Sequence, residues 1–209
     1  MTDTLSLASH GPVIPVIVLQ RVQDAVPLAE ALLAGGVKVL EVTMRTPVAL
    51  QCIEAIAKAV PEAVVGAGTI RSAADAQAAL DAGSRFAVSP GYTAEVGAAC
   101  RRIGLPLLPG VATASEVMQA MSLGFDALKL FPAHGLWGAS QIEALQGVFP
   151  SLRFCPTGGI KPEHIATYLA LRGCGGVGGS WVTPERLIDQ GDWDGITALA
   201  RQAASFRRP

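Results

Sequence analysis

Residues 13–42 read VIPVIVLQRVQDAVPLAEALLAGGVKVLEV, two short apolar runs separated by an amphipathic segment that closes on a pair of glycines. Each run has the length of a strand; 13–19 is continuously apolar and 37–42 is apolar but for Lys38 and Glu41, as expected for strands buried on both faces. Between them DAVPLAEALLAGG (24–36) carries its apolar residues at helical spacing and ends on the glycine that commonly closes a helix. Strand, helix and strand in this order form a βαβ unit, whose strands lie parallel in one sheet.

The unit repeats along the chain. Further apolar runs are AVVGAG (63–68), RFAVS (85–89), LPLLPGV (105–111), ALKLF (127–131), LRFCP (152–156) and GCGGVGG (173–179), which with the first two make eight strand candidates. Helical segments such as PVALQCIEAIAKAV and SAADAQAALDAG stand between them, with no linker or low-complexity stretch. The pattern predicts an α/β protein, a single (β/α)8 TIM barrel domain over residues 1–209 with 1–11 as an N-terminal extension. An open doubly wound sheet would need fewer strands, and no GxGxxG fingerprint follows the first run.

Composition excludes several classes. Half of the 209 residues are hydrophobic and 16% are charged, against roughly 25% charged in an average soluble domain. No run of about 18 apolar residues lacks a Gly, Pro or charge, so no membrane span is expected. MTDTLSLASHGP has no basic segment ahead of an apolar one, which predicts a cytoplasmic protein rather than a secreted one. A net charge of −1 argues against a nucleic-acid partner. Sparse surface charge points to an exterior partly covered by other subunits. Cys52, Cys100, Cys155 and Cys174 lie far apart and read as small buried hydrophobes. His10, His134 and His164 lack metal-ligand spacing, although His134 lies close enough to the sixth run to line the mouth of a barrel. Trp137, Trp181 and Trp193 read as packing residues.

In a barrel, chemistry collects at the C-terminal ends of the strands. On the second run Val39, Glu41, Thr43 and Arg45 share one face. Glu41 then sits deep in the mouth and Arg45 higher, placed to bind a carboxylate through two hydrogen bonds. A Glu41–Arg45 ion pair that merely stabilises the barrel is the other reading. The third run ends in GAGT, whose glycines allow a close approach of backbone to a ligand and whose Thr69 offers a hydroxyl. The fourth ends in the turn Ser89-Pro90-Gly91.

On the sixth run Ala127, Lys129 and Phe131 share a face opposite Leu128 and Leu130. With the leucines under the helices, Lys129 points inward. It is either the partner of a buried carboxylate or an amine that desolvation and a neighbouring cation such as Arg45 make neutral. A neutral amine attacks a carbonyl and forms a Schiff base. The seventh run leads into Thr157-Gly158-Gly159-Ile160 before KPEH, and the eighth into Gly178-Gly179-Ser180 before VTPERL. Two glycine turns opening helices after strands seven and eight match the recurrent phosphate site of barrels.

EVTMRT, GAGT, SPG, KLFPA, CPTGGI and GGSW, in this order from about Pro12 to Phe206, resemble the family of 2-keto-3-deoxy-6-phosphogluconate (KDPG) aldolases, which includes 4-hydroxy-2-oxoglutarate (KHG) aldolase activity. The resemblance implies a metal-free, cofactor-free class I aldolase on a (β/α)8 barrel, usually a homotrimer. Lys129 matches the Schiff-base lysine and Glu41 the general acid/base. Arg45 and Thr69 match the groups that hold the pyruvate carboxylate, with Pro90 and Phe131 lining that pocket. Thr157 matches a residue near the aldehyde end, and Gly158, Gly159 and Ser180 match the phosphate site. The family tends to carry a basic residue after the first strand, where this chain has Gln20-Arg21. The implied reaction cleaves KDPG to pyruvate and glyceraldehyde 3-phosphate in the Entner-Doudoroff pathway, with cleavage of KHG to pyruvate and glyoxylate beside it. The C4-epimeric 2-keto-3-deoxy-6-phosphogalactonate is an alternative substrate. A barrel phosphosugar isomerase or epimerase would share the glycine turns but has no use for the amine, and a non-catalytic sugar-acid binder has no use for Glu41 and Lys129 together.

Overall fold

The computed structural model describes residues 11–133 and 138–207, so His10, His134, Trp137 and nearly all of the expected extension lie outside the described residues. Nine parallel strands are present among the described residues: β1 Val13–Ile17, β2 Val39–Thr43, β3 Val64–Gly68, β4 Ala87–Val88, β5 Leu107–Leu108, β6 Gly110–Val111, β7 Ala127–Leu130, β8 Arg153–Pro156 and β9 Val177–Gly179. The helices between them are α1 Ala25–Ala34, α2 Ala49–Ala59, α3 Ala73–Asp81, α4 Ala94–Arg102, α5 Ala114–Ser122, α6 Gly138–Val148 and α7 Ile165–Leu169, and α8 Glu185–Gln190 and α9 Trp193–Ser205 follow the last strand. None among the described residues is long and apolar enough to cross a membrane.

The strands form two ladders, β5-β4-β3-β2-β1-β9 and β6-β7-β8. The ninth strand arises because the run 105–111 is split at Pro109, which has no N–H to give to a ladder. Leu107–Leu108 pair with β4 and Gly110–Val111 with β7, while the Pro109 carbonyl still accepts a hydrogen bond from the Lys129 N–H at 2.8 Å. Isolated parallel bridges, Phe154↔Cys174 and Thr157↔Gly178, lead from β8 towards β9. The last strand β9 lies against the first, with Val13 opposite Val177 and Pro15 opposite Gly179.

Side-chain alternation sorts the core into two parts. Leu40, Val42, Leu128 and Leu130 belong to the large cluster under the helices. The opposite phase supplies a separate inner cluster of Ile14, Val39, Val64, Phe86, Val88, Leu108, Ala127 and Cys155. The strands are therefore buried on both faces, which is why they read as continuous apolar runs. Phe86, fully buried, is the largest member, and its ring occupies the place where a Gly66 Cβ would stand, 2.4 Å away. Truncating such a phenylalanine to Ala costs about 3–5 kcal/mol.

Helix boundaries follow local chemistry. Ser72 and Thr93 accept from the N–H groups of Asp75 and Val96, and Thr113 with Glu116 completes a capping box, each cap contributing about 1 kcal/mol. After α1, Gly36 has φ 89°, a conformation that favours glycine. At the other end of the chain α9 packs on α1, where a Gly35 Cβ would stand 2.3 Å from the Ala200 Cβ. All four cysteines are buried and unbridged, and the Trp181 ring packs edge-on to Phe206 at 6.4 Å.

Candidate active site

Strand phase puts Glu41 and Lys129 on the inner face, one from β2 and the other from β7. Glu41 follows Val39 by two residues and Lys129 follows Ala127 by two, and both predecessors belong to the inner cluster. The Lys129 Nζ lies 3.3 Å from the Glu41 Oε1, and each side chain is only 4% exposed. The carboxylate partner of Lys129 is thus Glu41, and Glu41 pairs with the lysine and not with Arg45. A pair so deeply desolvated stands only because each member is the other's hydrogen-bond partner.

Room for this pair comes from β3. Gly68 lies opposite Thr43 in the ladder, and a Cβ there would stand 2.4 Å from the Glu41 Oε1. The GAGT glycines therefore make room for the Phe86 and Glu41 side chains, where the sequence had suggested a close approach of backbone to a ligand. Register with the second run, whose inner face carries the bulky acid, is the signal that would have revealed this. Thr43, on the same phase, is also structural, donating from its hydroxyl to the Ile17 carbonyl at 2.8 Å and so tying β2 to β1.

Above the pair, the exposed Arg45 donates through Nε to the Thr69 Oγ1 at 3.3 Å. Thr69 has φ 65°, the one described residue other than glycine with positive φ. A β-branched residue in this region is strained by about 1–3 kcal/mol, and such strain collects at functional sites. The Phe131 ring covers the lysine, with its centroid 5.2 Å from Nζ.

A cleft of about 220 Å³ opens beyond this ring, lined by Arg45, Phe131, Thr157, Gly158, Gly159 and Ser180, with Val16 as an apolar wall. Val16 is on the phase of Ile14 and could have been found from the alternation in the first run. Glu41, Lys129, Thr69 and Pro90 are outside the lining: the first two lie buried beneath, Thr69 is linked to it through Arg45, and Pro90 packs on Gly110. Gly158 and Gly159 have φ 100° and 72°, values that suit glycine. After the first glycine turn a single 3-10 turn, Pro162–His164, runs into α7; after the second, the 3-10 turn Ser180–Val182 is separated by Thr183 and the extended Pro184 from α8, which starts at Glu185. Thr157 is buried, and close packing explains the glycine beside it, because a Gly178 Cβ would meet the Thr157 Oγ1 at 2.3 Å.

Two neighbours complete the electrostatics. Arg21 is held by the buried Asp24, Nε to Oδ2 2.7 Å, and is absent from the lining of the cleft. Cys155, opposite Lys129 in the ladder, has its thiol pushed up to about 12, first by burial and then by Cys174 and Glu41, with Lys129 acting in the other direction. It is a neutral wall beside the amine.

This site sits in a chain with close relatives. The family model described as KDPG and KHG aldolase matches residues 5–199. The KHG/KDPG aldolase of Escherichia coli is 47% identical over 202 residues, covering 97% of this chain and 95% of that protein. Among solved structures, the KDPG aldolase of Legionella pneumophila, with pyruvate captured at low pH as a covalent carbinolamine intermediate, superposes with a TM-score of 0.94 at 44% identity, covering 96% of this chain and 98% of that one. The Zymomonas mobilis enzyme with 3-phosphoglycerate gives a TM-score of 0.93 at 47% identity, covering 100% and 98%. With its own inner-face lysine and glutamate in contact beneath a glycine-rimmed cleft, the chain belongs to the KDPG and KHG aldolase family.

Proposed function

We propose that this chain is a class I aldolase that cleaves KDPG to pyruvate and glyceraldehyde 3-phosphate, and KHG to pyruvate and glyoxylate as a secondary reaction. The observation that carries the reading is the buried contact of the Lys129 Nζ with the Glu41 Oε1 at 3.3 Å. A lysine ammonium cannot attack a ketone, and here a carboxylate stands within one hydrogen bond to take its proton.

The amine adds to the C2 ketone to give a carbinolamine, and loss of water leaves an iminium. This iminium accepts the electron pair of the C3–C4 bond as it breaks. Glu41, directly or through one water, removes the C4 hydroxyl proton, the aldehyde departs, and Glu41 returns the proton to C3 of the enamine. Hydrolysis of the resulting iminium frees pyruvate and the amine. Arg45, oriented by Thr69, takes the substrate carboxylate, and Pro90 and Phe131 close the apolar side of the pyruvate pocket. Thr157 faces the aldehyde end. Backbone N–H groups at Gly158 and Gly159, with Ser180, bind the phosphate.

The same reading makes the two ladders one closed (β/α)8 barrel forming a single domain. Support comes from the unbroken chain across Pro109 and the Thr157↔Gly178 bridge. We further assign the protein to the cytoplasm as a homotrimer with no resident cofactor and no nucleic-acid or membrane partner. Pyruvate release followed with lactate dehydrogenase and NADH, on KDPG, its C4 epimer and KHG, tests the assignment. KDPG is expected to give the highest kcat/KM; no pyruvate from any of the three overturns it.

A further inference from the structure

The split in the fifth run bears on the lysine. Along β4 and β5 the ladder runs normally, Ala87 N–H to the Pro106 carbonyl at 2.7 Å and Ser89 N–H to the Leu108 carbonyl at 3.2 Å. The next donor, the Gly110 N–H, finds the Ser89 side-chain hydroxyl at 3.3 Å. A buried amide must have an acceptor, and here a serine oxygen supplies it where the chain leaves one ladder for the other. Ser89 is 1% exposed and is not part of the cleft lining.

From Gly110 the connection to the chemistry is direct. Gly110 is the register partner of Lys129, and β6 holds β7 through Lys129 N–H to the Pro109 carbonyl at 2.8 Å and Phe131 N–H to the Val111 carbonyl at 3.1 Å. The Ser89-Pro90-Gly91 turn also rests on Gly110, where an added Cβ would stand 2.4 Å from the Pro90 carbonyl. We propose that Ser89 is a positioning residue for the Schiff-base lysine: its hydroxyl, through Gly110, fixes the strand against which Lys129 is aligned. This rests on the Schiff-base reading above. In Ser89→Ala the Gly110 N–H loses its acceptor, β6 moves to find another, and β7 moves with it.

The test measures the rate of borohydride trapping with pyruvate and the turnover of KDPG, both per active site titrated by the trap. Because a displacement of about 1 Å costs up to about 10²-fold, Ser89→Ala is expected to lose about tenfold in trapping rate and kcat, with KM changed less than about twofold. Ser89→Thr, which keeps the hydroxyl, should return most of the rate. Unchanged per-site rates in Ser89→Ala, even with a lowered melting temperature, overturn the proposal, as does a Ser89→Thr variant as slow as Ser89→Ala. If Ser89→Ala does not fold, Ser89→Cys, a weaker acceptor of similar size, carries the same expectation of slower trapping and the same refutation. A wild-type enzyme that forms no adduct overturns this proposal and the Schiff-base reading together, whereas normal trapping in both wild type and Ser89→Ala overturns this one alone.

Discussion

Substituting Gly68 by Ala adds one methyl group in the worst place for catalysis and a tolerable one for folding. The new Cβ would stand 2.4 Å from the Glu41 Oε1, 2.8 Å from Cγ and 3.0 Å from Cδ, whereas ordinary contact begins at 3.4 Å. The carboxylate must retreat by 1.0 Å, the difference between 3.4 and 2.4 Å. What moves is the Glu41 side chain from Cγ outward, so the strand can stay in place. Misplacement of a catalytic group by about 1 Å costs about 10²-fold in rate, or about 2.7 kcal/mol of transition-state stabilisation. Turnover of KDPG by Gly68→Ala should therefore fall about a hundredfold, while borohydride still traps pyruvate on Lys129. A variant that folds and cleaves KDPG at the wild-type rate would refute the placement of Glu41 in the chemistry.

Glu41→Gln should still form the adduct with pyruvate, more slowly because the carboxylate that takes the ammonium proton is gone, and lose about 10²–10⁴-fold in kcat; near-normal turnover would remove its role. Lys129→Met leaves the Glu41 carboxylate buried without its partner, which should destabilise the fold by about 3–5 kcal/mol in urea titrations. The double variant Lys129→Met/Glu41→Gln should recover most of that loss; additive losses would mean that the pair does not interact. Burial raises the thiols of Cys52 and Cys100 from 9.0 to about 11 and that of Cys155 from 9.0 to about 12. The native state holds these protons more tightly than the unfolded chain, so the contribution is complete below pH about 9 and is lost as pH rises towards the folded values. Stability should decline across this alkaline range, less steeply in Cys52→Ala/Cys100→Ala; identical slopes would show that these thiols are not the cause.

The strand phases of the second and sixth runs were legible because period two and the inward or outward choice follow from the leucines alone. Leu40, Val42, Leu128 and Leu130 do lie under the helices, which leaves Glu41 and Lys129 no other direction. The rim residues Arg45, Phe131, Thr157, Gly158, Gly159 and Ser180 come together in one cleft for the same reason, each standing at or just after a strand end. Interruption of the fifth run at Pro109 was readable from the missing donor, but its consequence was not, because which neighbour each half pairs with depends on three-dimensional register. Gly68 and Ser89 were missed for a related reason. Their meaning lies in a contact across strands, with Glu41 and with Gly110, and period along one strand carries no information about what stands opposite. Arg21, the basic residue after the first strand, is held by Asp24 three residues on.

The proposed chemistry requires Lys129 to form a covalent bond with the keto acid. Incubation with pyruvate and borohydride, digestion and mass spectrometry of the peptide containing DALKLFPA measures this directly. An irreversible adduct of one reduced pyruvate on Lys129 is expected in wild type and in Glu41→Gln, and none in Lys129→Met. An unmodified Lys129 peptide from an enzyme that still cleaves KDPG would contradict it.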